Sequence, residues 1–81
     1  MLKLVDNVDI KKLKDYGFTY NYVFSKYTYD SKDQDGYILV YKSEREVIVV
    51  AEGKFYVEDF ILDKLYELIT DGIIEKVDED E

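Results

Sequence analysis

The 81 residues carry eleven cations against nineteen carboxylates, a formal charge of −8, with no cysteine and no histidine. That length holds one domain, and the missing residue types exclude disulfides, thiolate metal sites and nucleophile schemes that rely on an imidazole base. Hydrophobic residues are 47% of the chain and aromatics 16%, nine of them tyrosine, which argues for a packed core and against disorder.

Met1 to Asp6 lack a basic region followed by an apolar one, so no signal peptide is expected. No apolar run approaches the roughly 20 residues of a membrane span. The expected setting is cytoplasmic. Asn7 or Asp9 suits the cap of a first helix, Asp9 to Tyr16, with Ile10 and Leu13 inward and Lys11, Lys12 and Lys14 outward. Gly17 is placed to end it in a left-handed conformation, with Phe18 packing back on Leu13.

Phe18 to Tyr29 reads as one long strand, rich in aromatic and β-branched residues. Phe18, Tyr20, Tyr22 and Phe24 share one parity, Tyr27 and Tyr29 the other; a bulge near Ser25 and Lys26 would bring all six to one side, and without one the strand carries aromatics on both faces. Ser31 to Gly36 is a turn. Tyr37 to Lys42 and Val47 to Glu52 are two further strands, joined tightly through Ser43 to Glu46. A loop centred on Asp33 sets Tyr29 opposite Tyr37 and Tyr27 opposite Leu39. A two-residue loop at Glu44 and Arg45 sets Tyr41 opposite Ile48 and Leu39 opposite Val50. One face is then Tyr27, Tyr29, Tyr37, Leu39, Tyr41, Ile48 and Val50, and the other is Ile38, Val40, Val47, Val49 and Ala51.

Gly53 and Lys54 form a break before the strongest helix, Val57 to Asp71, in which Val57, Phe60, Ile61, Leu65, Leu68 and Ile69 recur at helical spacing. Glu58 and Asp59 suit its positive end, Gly72 stops it, and Ile73 packs on Leu68. Ile73 to Val77 suits a short final edge strand. The expected fold is α+β in the order α-β-β-β-α: a three-stranded antiparallel meander with the C-terminal helix on one face. Residues 1–77 form the domain and 78–81 an acidic, frayed tail.

Chemistry has little to work with. Asp30, Asp33 and Asp35 sit in a turn-rich loop that looks solvated, so acid–base pairing is not expected. Asp33, Asp35 and Gly36 match three positions of a calcium loop, but Ser31 and Lys42 fall where its first and twelfth ligands belong. Ser25, Ser31 and Ser43 have no imidazole base, and no glycine-rich phosphate loop is present. No catalytic, cofactor or metal residue is assigned, and the chain is read as not an enzyme. Its cations are scattered apart from Lys11, Lys12 and Lys14, so direct nucleic-acid binding is not expected.

The tyrosines are the feature to weigh. Both faces of the second and third strands are apolar, and two helices are little to cover both. Tyr27, Tyr29, Tyr37 and Tyr41 are therefore the candidate protein interface, with a second copy of the chain as one partner that fits. The leading expectation is a non-enzymatic protein-interaction module. The alternative is an acidic mimic of nucleic acid that inhibits a nuclease or DNA-binding protein. Four of the net negative charges lie in the tail Asp78 to Glu81, and the body is still at −4.

Leu13-Lys-Asp-Tyr-Gly-Phe18, Ile38-Leu-Val40, Val47-Ile-Val-Val50 and the run from Leu62 to Val77 together resemble small uncharacterised proteins of phages and prophages in low-GC Gram-positive bacteria. The resemblance covers most of the chain through caps and core positions. It implies a phage or prophage source in a bacterial host, in keeping with the lysine-rich composition, and transfers no site residue.

Overall fold

The computed structural model describes residues 1–30, 36–51 and 59–77. These form a small α+β protein: an open, fully antiparallel six-stranded sheet with one main helix. The strands are β1 (Leu2–Leu4), β2 (Thr19–Asn21), β3 (Lys26–Asp30), β4 (Gly36–Tyr41), β5 (Glu46–Ala51) and β6 (Ile74–Lys76), and the helix is α1 (Asp59–Thr70). A 3-10 helix spans Ile10–Tyr16. The sheet runs β2-β3-β4-β5-β1-β6, so the first strand of the chain lies inside the sheet and β2 and β6 form its edges. Among the described residues, no helix is long and apolar enough to cross a membrane.

The expected three-stranded meander and final edge strand become six strands for one local reason and one non-local one. The stretch Phe18 to Tyr29 is not continuous. Asn21 Oδ1 accepts hydrogen bonds from the amides of Val23 (2.9 Å) and Phe24 (3.1 Å), and Ser25 takes a positive φ of 52°. A side chain that captures nearby amides offers the backbone a turn in place of a ladder. The result is the hairpin β2-β3, with Tyr20 paired to Tyr27, in place of one continuous strand with or without a bulge. At the other end, the final edge strand expected over Ile73 to Val77 is present as β6, and it pairs not with the meander but with β1 (Leu4 with Ile74), a strand the expected order lacks, which in turn pairs with β5 (Leu2 with Val47).

The first helix is a 3-10 helix and not an α-helix. Its inward residues Ile10, Leu13 and Tyr16 recur every third position, the spacing at which 3-10 side chains stack. Asp9 caps it by accepting the Lys11 amide at 3.0 Å. Gly17 closes it at φ 93°, with the Phe18 amide donating to Leu13 O at 3.2 Å. The same closure ends α1: Gly72 sits at φ 77° and the Ile73 amide donates to Leu68 O at 2.9 Å.

One face of the sheet carries the core. Leu4, Tyr27, Ile38, Val40, Val47 and Ile74 pack with Ile10, Leu13 and Phe18 from the 3-10 segment and with Ile61 and Leu68 of α1. The helix lies against β4 and β6, and the 3-10 segment serves the β2-β3 side. The positions expected at Ser31 to Asp35, Glu52 to Glu58 and Asp78 to Glu81, which include the loop carboxylates Asp33 and Asp35 and the start of the expected helix, lie outside the described residues.

Candidate interaction surfaces

The strand register decides where the candidate tyrosines go. Tyr27 pairs with Val40 and Tyr29 with Ile38, one residue away from the register expected from a loop centred on Asp33. A one-residue slip moves every side chain of a strand to the other face. Tyr27 and Tyr29 therefore join the core face, and the four-tyrosine interface divides in two. Tyr27 is buried at 4% exposure, and Tyr29 stacks between Phe18 (5.5 Å between centroids) and Phe60 (6.0 Å). The sequence already favours this register: Lys26-Tyr-Thr-Tyr-Asp30 alternates strictly, and the slip sends its three polar residues outward.

Tyr37 and Tyr41 stay on the opposite face with Leu39, Ile48 and Val50, as expected. Between β4 and β5, however, Leu39 meets Ile48 and Tyr37 meets Val50, a shift of two that keeps the faces and changes the partners. These five residues form an apolar island two strands wide. Lys26, Thr28 and Asp30 border it through β3, and Glu46 with Lys3 and Glu75 through β5, β1 and β6. Leu39 is buried at 6% exposure, Tyr37, Tyr41, Ile48 and Val50 are half-buried, and none of the five belongs to the core cluster of the opposite face.

A second surface lies on α1. Its buried residues are Ile61 and Leu68, with Leu65 and Phe60 partly buried beside them. Leu62, Tyr66 and Ile69 follow at spacings of four and three, and so form one ridge along the helix. They are 48%, 73% and 49% exposed. Ile69, expected in the buried stripe, belongs to this ridge. The helix has more apolar positions than one core face can take, and that surplus is the signal in the sequence.

Next to the ridge runs an exposed acidic stripe, Asp59, Asp63 and Glu67, continued by Asp71 past the helix end. Its members are four residues apart, about 6 Å along the axis. Like charges at this spacing repel, and carboxylates near a helix C-terminus oppose its dipole. Two neighbours soften the cost. Lys64 Nζ pairs with Glu67 Oε1 at 2.8 Å, and Tyr16 Oη donates to Asp71 Oδ2 at 2.8 Å. The hydrogen bond to Asp71 is also the main reason the Tyr16 phenol is held above its ordinary pKa.

A third surface is the tip of the β2-β3 hairpin. Tyr22, Val23 and Phe24 are 81%, 83% and 61% exposed. Below the tip, Tyr20 sits edge-on to Tyr22 at 4.8 Å and against Tyr27 at 4.7 Å. Burial raises the Tyr27 phenol pKa, with smaller contributions from Tyr20, Asp9 and Tyr22. Among the described residues there is no group of three or more His, Cys, Asp or Glu side chains arranged to hold a metal.

No family model, curated protein or solved structure matches the chain.

Proposed function

We propose that the chain is a non-enzymatic protein-interaction module and that α1 is its docking element. One observation carries this reading: the ridge of Leu62, Tyr66 and Ile69, three large apolar side chains about half or more exposed on one helix. A helix that presents anchors at such spacing is suited to an apolar groove or a partner helix. The acidic stripe beside the ridge gives the partner its charge. A segment with apolar anchors and a basic flank is complementary to both features. Self-pairing through the same ridge in an antiparallel two-fold would set the two acidic stripes on one side, where they repel.

The stripe itself favours a narrower second reading, a mimic of nucleic acid. Its regular carboxylates follow one another at roughly 6 Å, a row of negative charge comparable to phosphates along one strand. The partner would then be a nuclease or DNA-binding protein. The apolar island of Tyr37, Leu39, Tyr41, Ile48 and Val50 supports self-association through the sheet as the remaining arrangement.

A photoreactive amino acid at Tyr66, with Lys12 as an exposed control, tests the leading reading in the native host. The expected result is a discrete adduct from position 66 only, lost when Leu62 and Ile69 are both changed to Gln, with a basic segment at the cross-linked site. Adducts identical from both positions, or none from position 66, overturn it. An adduct between two copies of the chain replaces it with self-association. Competition of the captured partner by DNA separates the mimic from a general docking module.

A further inference from the structure

The end of the core face beyond α1 holds a concavity of about 320 Å³, lined by Ile10, Lys11, Lys14, Tyr20, Tyr22, Tyr27 and Lys42. Its size falls at the lower end of small-molecule sites. Its chemistry runs against the rest of the chain. Carboxylates outnumber cations nineteen to eleven, yet among the described residues three lysines and no carboxylate line this space. The lysines come from two separate elements. Lys11 and Lys14 sit one turn apart on the 3-10 helix, and Lys42 follows β4, where its amide donates to Ser25 O at 2.9 Å. Asp9 acts on the Tyr27 phenol from nearby, so its carboxylate, which accepts the Lys11 amide, offsets part of the lysine charge and leaves a local excess of cations among the described groups.

The walls are aromatic. Tyr20 and Tyr27 are fixed against each other, and Tyr22 stands edge-on to Tyr20 with 81% of its surface free. A free tyrosine ring offers a stacking face for a planar group, and ammonium groups beside it attract phosphate. We propose that this concavity binds a small phosphorylated ligand with a planar ring, of the nucleoside monophosphate class, its phosphate met by Lys11, Lys14 and Lys42 and its ring by Tyr22 and Tyr20. The overall charge selects for size. A polyanion is repelled by a −8 chain over its whole length, whereas a ligand with one phosphate feels mainly the local lysines.

Titration of the full chain with AMP, followed by amide chemical shifts, tests the site, with adenosine and inorganic phosphate as separate arms. AMP is expected to shift the amides of Lys11, Lys14, Tyr20, Tyr22 and Lys42, and to bind about tenfold more tightly than either fragment. Lys11→Gln with Lys14→Gln should weaken AMP about tenfold. Tyr22→Ala should weaken AMP about fivefold and leave phosphate unchanged. The three substituted positions, Lys11, Lys14 and Tyr22, are exposed, and unshifted β4 and β5 amides report that the variants fold. No shifts at about 10 mM AMP, adenosine binding as tightly as AMP, phosphate binding as tightly as AMP, or unchanged affinity in the lysine variant would each overturn the proposal.

Discussion

Arg45 shows how one residue ties distant parts of the chain together. Its backbone is left-handed, at φ 61°, a conformation that disfavours any side chain. The side chain repays the strain. Its Nη2 donates to Val5 O at 2.7 Å and Val8 O at 2.8 Å, while its own carbonyl accepts the Leu4 amide at 2.9 Å. Arg45→Ala loses the carbonyl contacts and keeps the strain, and should cost about 2 kcal/mol in urea denaturation. Arg45→Gly should cost about 1 kcal/mol less, because glycine removes the strain. The chain has a single arginine, so composition marks the residue, but nothing in the sequence reveals that it reaches a loop some forty positions earlier. Tyr27 is a second informative case. Its phenol pKa is raised above the ordinary 10.0, so the fold favours the neutral form. That stability is present below pH 10 and is lost as pH climbs through the raised value. Tyr27→Phe should therefore flatten the fall of the urea midpoint across roughly pH 9 to 11, and an unchanged slope would remove Tyr27 as its source.

At the level of elements, the legible parts were those governed by local rules. Gly17 and Gly72 mark helix stops because a glycine followed by an apolar residue suits a left-handed cap, and both sit at positive φ. The faces of β4 and β5 followed from alternation. Tyr37 and Tyr41 therefore keep their expected side, while Tyr27 and Tyr29 lie on the other, because loop length does not fix the β3-β4 register. The turn at Tyr22 to Ser25 was not legible, because it contains no glycine or proline and depends on Asn21 reaching two amides. On α1 the acidic stripe departs from what helix stability prefers. Asp63 repels both Asp59 and Glu67 across one turn, so Asp63→Lys should raise stability by roughly 0.5 to 1 kcal/mol in thermal melts. The same variant should weaken capture of a basic partner. Gain in stability with loss of binding would assign the stripe to recognition.

For the whole molecule, charge and topology set the behaviour. A net −8 on a domain this small favours expansion, so raising salt from low ionic strength to about 0.5 M should lift the melting temperature by about 3 °C. A fall on adding salt would show that attractive pairs dominate. Topology was the least legible level. Leu2–Leu4 is three residues long and carries no turn signal, and its partners lie at Val47 and Lys76, too far along the chain for any local pattern to announce. β1 nonetheless joins β5 to β6, and the Val77 amide extends that ladder to Met1 O at 2.7 Å. This arrangement sets an order of assembly. The meander β2 to β5 pairs strands that are neighbours in sequence and can form without β1, whereas the pairing of Leu4 with Ile74 closes the longest loop in the described sheet. The β1–β6 edge is thus the last part of the sheet to close and the first to open, and its amides should exchange with solvent ahead of those of β4.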